Sequence, residues 1–255
     1  MKKRGVLLVG KMEPIIDIIG FSGGRDSLAA WYLLNKPLAI YINCKTKYSE
    51  KELKCIKNLQ KLIPELKVKI IECPILGSFE YGSNAYIKYR NLIFACLMGN
   101  YGKKVRIIIA GNKSDNVEDK SKKAFKIMTD CLNSISKEDE NIEVYSPFWK
   151  MTKTQLIAWF LNSYKGSRKK VEKILQVSIS CYSKENGNCG KCPACLRSAI
   201  SLFVNKVPIN FFVNDITKYI GIKNYIKKMK TKDNPYDRER VDESLRVFEK
   251  WGWRV

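Results

Sequence analysis

Apolar residues recur in short continuous runs at Ile15 to Phe21, Pro37 to Cys44, Lys67 to Cys73, Val105 to Ala110 and Ile142 to Tyr145. Between them, at Ser27 to Leu34, Glu50 to Leu62, Ala85 to Gly99 and Lys120 to Leu132, apolar positions return every three or four residues instead. The runs predict buried strands and the spaced segments predict amphipathic helices. Strands alternating with helices of this length require right-handed crossovers, which build a parallel twisted sheet with helices on both faces. The expected fold class is therefore α/β. After Thr152 the pattern is helical: Met151-Thr152-Lys153-Thr154-Gln155 reads as a helix start capped by Thr152, followed by Leu156, Ile157, Trp159 and Phe160. Two further helical segments, Phe211 to Lys230 and Pro235 to Trp251, flank a charged turn at Asp233 and Asn234. Val6 to Val9, turning at Gly10, predicts an extra strand ahead of the first run. Neither an internal repeat nor a low-complexity segment is present.

Ligands of such sheets bind beyond the carboxyl ends of the strands. The first run ends there in Ser22-Gly23-Gly24-Arg25-Asp26-Ser27, directly before a helix. Two glycines allow the backbone to approach an anion closely, and a helix start offers free N–H groups, so the sequence describes a phosphate cradle. Asp26 fits an anion site only when a cation such as Mg2+ accompanies the phosphates, which points to a nucleotide. Helix capping alone would need only Ser27 or Asp26. Neither GxxxxGK[ST] nor GxGxxG occurs at the loop. SGGxDS instead resembles the PP-loop of N-type ATP pyrophosphatases, which implies ATP binding by Ser22, Gly23, Gly24, Arg25, Asp26 and Ser27. Asn43 to Thr46 and Gly111 to Asp115 follow the second and fourth runs and are expected at the same edge.

Composition narrows the chemistry. With 255 residues and 45% hydrophobic content the chain can bury a sizeable core. No apolar run approaches the roughly 18 to 20 residues of a membrane span. Met1-Lys2-Lys3-Arg4 precedes too short an apolar run for a secretory leader, so a cytoplasmic location is expected. Lys plus Arg number 47 against 25 Asp plus Glu, a net +22. That imbalance suits a polyanion such as tRNA, yet the cations are spread along the whole length and equally fit a biased base composition. Histidine is absent. Ser-His-Asp and Cys-His catalysis and histidine-containing metal sites are thereby excluded.

Nine cysteines divide into two groups. Cys44, Cys55, Cys73, Cys96 and Cys131 stand in apolar surroundings and are expected to be small core residues. Cys181, Cys189, Cys192 and Cys195 are spaced C-x7-C-x2-C-x2-C, with Gly190 and Pro193 supplying turns. Four thiolates so close can wrap one tetrahedral Zn2+ with no open position, a structural role. Disulfides are disfavoured in a cytoplasmic chain, and a cysteine-ligated iron-sulfur cluster is the rival occupant.

SGGRDS and SCYSKENGNCGKCPACLR together resemble the 7-cyano-7-deazaguanine synthase (QueC) family, over about Ile15 to Leu202. Tyr86-Ile87-Lys88-Tyr89-Arg90-Asn91 looks like that family's segment ending in Arg-Asn at a helix head. Ala110-Gly111-Asn112 with Asp115 is similar to its Gly-x-Asn loop, and Ser146-Pro147-Phe148 followed by Thr152-Lys153 to its proline-to-lysine stretch. The resemblance implies an adenine nucleotide alpha hydrolase-like fold and an ATP-dependent ligase. ATP would adenylate a 7-carboxy-7-deazaguanine carboxylate, pyrophosphate would leave, and ammonia would give the amide or nitrile. It implies Asp26, Arg90 and Lys153 as catalytic groups, Gly111 and Asn112 as further ATP contacts, and Arg90, Asn91 and Asp115 as substrate contacts. ATP, Mg2+ and Zn2+ are the implied cofactors.

Departures fall on the substrate side. The family's Tyr-Pro-Asp-Cys-Arg segment is replaced by Asn116 to Lys123, and its proline before Arg-Asn by Lys88. Asn188 stands where a histidine usually precedes the knuckle. Adenylation is thus the firmer expectation and the acceptor the weaker one. A QueC-like antiviral protein joining a deazaguanine to a partner protein's amine, and a tRNA-modifying PP-loop enzyme, are the alternatives. A protein acceptor, nucleic acid and a homodimer stay open as partners, and a membrane does not. The expected organisation is an ATP-binding α/β domain over 1–176, a zinc knuckle and helix over 177–205, and a helical C-terminal extension over 206–255.

Overall fold

The computed structural model describes residues 14–82, 86–113, 115, 118–181, 183, 187–231 and 233–255. The strand expected at Val6 to Val9 lies outside them, as do the first two residues, 116–117, of the replaced segment.

Among the described residues, five strands form one parallel sheet in the order β3-β2-β1-β4-β5. They are β1 (Ile16–Gly20), β2 (Leu38–Asn43), β3 (Val68–Glu72), β4 (Lys104–Ile108) and β5 (Asn141–Tyr145). Each matches an apolar run of the sequence to within two residues at either end. Side chains alternate across the sheet. Ile19, Ala39, Tyr41 and Ile108 face a core shared with α1 (Arg25–Leu33), α2 (Ser49–Leu62), α5 (Lys153–Ser163) and α6 (Arg168–Val177). Ile18, Ile40, Ile42, Val105 and Ile107 face the other, under α3 (Arg90–Gly99) and α4 (Lys122–Ile135). Asp17 and Arg106 sit opposite each other on β1 and β4 and form a two-pronged ion pair at 2.8 and 2.7 Å. This satisfies charges that would otherwise contradict a central strand.

Chain order reverses between β1 and β4, so their carboxyl ends open a crevice there. Two loops flank it, residues 21–24 after β1 and 109–113 after β4.

Helix α3 starts at Arg90, later than the periodicity suggests, because Tyr89 takes a left-handed φ of 60°. Helix α4 starts after Ser121, whose Oγ accepts from the Ala124 N–H at 3.1 Å. The expected helix Phe211 to Lys230 shortens to α8 (Gly221–Met229) with one 3-10 turn, Ile216–Lys218, before it. Its first part is committed elsewhere: the Val213 N–H donates to the Asn188 carbonyl and the Asn214 N–H to the Cys189 carbonyl. Helix α9 (Arg238–Lys250) is capped by Asp237, which accepts from the Arg240 N–H at 3.0 Å.

A third core joins Cys181, Cys189 and Cys195 to Phe212, Ile222, Val247 and Phe248 from the C-terminal segments. Helix α7 (Pro193–Val204) spans two cores, giving Leu196 and Ala199 to this one and Leu202 to the first. Of the five scattered cysteines, Cys44 and Cys55 are buried and Cys73 is half-buried. Cys96 and Cys131 correct the expectation: they are exposed, because they occupy outward positions of α3 and α4.

Candidate active site

Gly23 has a φ of +76°, which favours glycine, and a Cβ there would meet the Cys55 Sγ at 3.0 Å. The chain then extends through Gly24 into α1, whose first turn carries no side-chain cap. Its leading N–H groups are thus left for a ligand. Ser22, Gly24, Asp26 and Ser27 line a cavity of about 300 Å³ over the crevice. That volume suits a small-molecule ligand.

Asp26 is held from two sides. Its Oδ2 accepts from Lys153 Nζ at 3.0 Å and from Asn112 Nδ2 at 3.3 Å. Its Oδ1 is buried and has no partner among the described residues. Lys153 arrives as the first residue of α5, and the start of that helix is fixed by a reciprocal cap. Thr152 Oγ1 accepts from the Gln155 N–H while Gln155 Oε1 accepts from the Thr152 N–H. The preceding segment is strapped to the β4 loop. Ser146 Oγ accepts from the Gly111 N–H at 3.0 Å, and the Lys113 N–H donates to the Met151 carbonyl at 2.9 Å. Two stretches far apart in sequence thereby bring Asn112 and Lys153 to one carboxylate.

Asp115 lies beside this group, pairing with Lys120 Nζ at 3.1 Å. Burial opposes its ionisation, yet Lys120, Lys153 and Arg197 together hold its carboxyl below the usual range. Arg90 and Asn91, at the head of α3, line the same cavity. Four expected ATP contacts stand apart from its wall, one of them, Asn112, lining a small adjoining chamber instead. Gly23 and Gly111 shape the backbone behind it, and at Gly111 a Cβ would meet the Trp149 ring at 2.9 Å. Arg25 turns away: its side chain is fully buried, with Nε donating to the Leu175 carbonyl at 2.9 Å.

Several lining residues were missed by the sequence reading. Tyr41 Oη donates to Glu52 Oε2 at 2.8 Å, and both face the cavity. Burial pushes the Glu52 carboxyl up to about 7, against the Tyr41 hydrogen bond and the Arg90 charge. Burial and the Glu52 charge likewise keep the Tyr41 hydroxyl protonated. Glu52 sits in an ordinary amphipathic helix and carries no local signal. Arg197 does carry one, closing the cysteine motif, and α7 delivers it to the cavity. It also lines a small adjoining chamber with Glu239, Arg240 and Glu243 of α9.

The four motif cysteines come together with their Sγ atoms all within 4.8 Å of one another. Cys189 and Cys195 Sγ lie 3.8 Å apart. Zn–S bonds of about 2.3 Å in a tetrahedron give an edge of about 3.8 Å, so the spacing suits the ion. Backbone N–H groups of Ser183 and Cys189 donate to Cys181 Sγ, those of Lys191 and Cys195 to Cys189 and Cys192 Sγ. Such donors stabilise thiolates. The residues therefore fit a closed four-thiolate zinc.

The model of the family described as Queuosine biosynthesis protein QueC matches residues 78–203. Over these residues the chain is similar to the QueC family. It is similar to the 7-cyano-7-deazaguanine synthase of Sulfurimonas denitrificans, 23% identical over 201 residues covering 68% of this chain and 86% of that protein. Its counterpart in Aliarcobacter butzleri is 24% identical over 204 residues, 68% and 85% of the two chains. The synthase of Campylobacter jejuni subsp. jejuni serotype O:6 is 21% identical over 206 residues, 69% and 88%. The QueC match takes in Arg90, Asn91, Asn112, Asp115, Lys153, Arg197 and all four metal-site cysteines. Ser22 to Ser27, Glu52 and α9 lie outside it.

Proposed function

We propose that the protein is an ATP-dependent carbon–nitrogen ligase acting on a 7-carboxy-7-deazaguanine-type carboxylate, with ammonia as the nucleophile. The observation carrying this reading is Asp26, held by Lys153 and Asn112 at an uncapped helix start in a cavity at the sheet's switch point. The relatives' printed name, 7-cyano-7-deazaguanine synthase, supports the substrate class.

The chemistry follows from charge. A carboxylate has no leaving group for ammonia to displace. Attack of its oxygen on the α-phosphorus of ATP forms an acyl-AMP and expels pyrophosphate. Ammonia then adds at the carbonyl carbon, AMP leaves, and loss of a proton gives the amide. A second adenylation, on the amide oxygen, followed by loss of AMP and protons, gives the nitrile. Positioning and neutralisation of phosphate charge dominate such steps. Lys153 and Arg197 are assigned to the phosphates and Arg90 to the carboxylate. Asn91 and Asp115 flank the substrate, and Asn112 orients Asp26. Asp26 Oδ1, which has no partner among the described residues, would hold a Mg2+ ion, whose charge would offset that of the pyrophosphate. Zinc on the four cysteines would hold α7, and with it Arg197, against the sheet. The three-part division at 176 and 205 belongs to this reading.

The relatives lend no support to the antiviral and tRNA-modifying alternatives. Incubating the protein with ATP, Mg2+, ammonium and 7-carboxy-7-deazaguanine should release pyrophosphate and give an amide or nitrile by mass spectrometry. Pyrophosphate release that does not depend on the acid would overturn the proposal.

A further inference from the structure

Arg25 is the anomaly of the interior. Its side chain is completely buried, and only Nε has a hydrogen-bond partner, the Leu175 carbonyl. Nη1 and Nη2 have none among the described residues. The guanidinium lies 5.9 Å from the centre of the Phe211 ring, a weak substitute for an anion. The neighbouring carboxylate of Asp26 is engaged elsewhere, with Lys153 and Asn112. Cys55 offers no anion either, since its Sγ donates to the Gly23 and Val177 carbonyls. An isolated buried charge is strongly unfavourable. A partner must therefore exist in the working protein.

The metal centre supplies one. A divalent ion with four thiolates is a net dianion, and here three of the four cysteines are buried beyond the reach of solvent compensation. The Ile179 N–H donates to the Gly23 carbonyl, which places the strand leading to Cys181 against the turn leading to Arg25. Ile179 and Phe211 pack into both the nucleotide-side core and the cysteine core, so Arg25 stands at the junction of the two. Burial pulls its guanidinium down to about 10, and the largest opposing pull comes from Cys195.

We propose that Arg25 is the counter-cation of the four-cysteine metal centre and that its charge ties the knuckle to the loop carrying Asp26. It is a positioning residue. Its charge complements the four N–H···S hydrogen bonds that the knuckle backbone supplies to the sulfurs. The inference rests on the zinc reading of the cysteines, not on the identity of the substrate.

The two sources of charge predict opposite signs with and without metal. In Arg25→Met a similar volume is kept and the charge is lost. Competition with a chromophoric zinc chelator should show the metal dissociation constant of Arg25→Met raised about tenfold or more, the range for partners beyond the ligand set. Arg25→Lys, which retains the charge, should recover most of that loss. After removal of metal the order should invert, with Arg25→Met unfolding at a temperature equal to or above that of the wild type, because an orphan charge has been removed. Zinc bound by Arg25→Met as tightly as by the wild type would overturn the proposal, as would an Arg25→Lys variant as weak as Arg25→Met. Elemental analysis of the wild type keeps the premise separate: a protein without metal there overturns the zinc reading itself.

Discussion

The Asp26 carboxylate divides its oxygens, Oδ2 to Lys153 and Asn112 and Oδ1 to no group among the described residues. If Oδ1 serves a metal–nucleotide complex, Asp26→Asn should lower acid-dependent pyrophosphate release by about a hundredfold or more, the range for a lost electrostatic contact to the reacting charge. Circular dichroism and zinc content should stay unchanged, because the residue is placed in neither a core nor the metal site. An active Asp26→Asn would remove Asp26 from the proposed mechanism. Glu52 calls for a different measurement. Its carboxyl is raised by burial from the ordinary 4.5 to about 7 in the folded chain. A raised value means that the native state binds the proton more tightly than the unfolded chain, so the stability it contributes is complete below 4.5 and is lost as pH rises through about 7. Thermal midpoints of wild type and Glu52→Gln measured across that window should therefore diverge, the wild type losing ground as pH increases. Parallel curves would show that Glu52 is not buried as described. Asp26 was legible in the sequence because a carboxylate among glycines and serines is chemically odd. Glu52 was not, because its surroundings are assembled by β2 and α3, remote in sequence.

Elements with a local cause were the ones the sequence specified well. Buried strands announce themselves as apolar runs, and all five lie where those runs fall. Thr152 and Gln155 carry a start signal that the structure realises as a reciprocal cap. Boundaries set by distant partners were not readable: residues 213–214 look helical but are drawn out to pair with 188–189. The Thr152 cap has a functional consequence, since Lys153 is the next residue. Thr152→Ala should cost about 1 kcal/mol in chemical denaturation. It should also reduce kcat of the proposed reaction more than ATP binding, because Lys153 loses its fixed starting angle. Gly190 tests the knuckle in the same way. Its φ is +73° and an added Cβ would lie 2.2 Å from the Asn214 carbonyl oxygen. Gly190→Ala should then destabilise by about 1–3 kcal/mol and lower zinc retention. A variant with unchanged zinc content would show that the turn can relax without disturbing the thiolates.

At the scale of the molecule, two of the three cores meet along α7. One end of that helix completes the cysteine centre, the middle sends Arg197 into the cavity, and the last turn packs Leu202 under the sheet's first face. The C-terminal segments cover the cysteine core from outside: Phe212, Ile222, Val247 and Phe248 bury against Cys189, Cys195 and Leu196. Asn214 anchors that cover, its Nδ2 donating to the Cys189 carbonyl at 2.7 Å. The QueC match ends at residue 203, so the cover is built from residues beyond it. Sequence periodicity identified these helices as packing surface but could not say against what, because nothing local to them encodes the partner. Their position makes a definite expectation. Removing residues 206–255 would open the cysteine core to water and strip Glu239, Arg240 and Glu243 from the chamber beside Lys153. The truncated chain should lose zinc to a chelator faster than the full chain and expose apolar surface to a hydrophobic dye. Zinc retention equal to that of the full chain, with no added dye binding, would mean that the knuckle closes its core on the α/β domain alone.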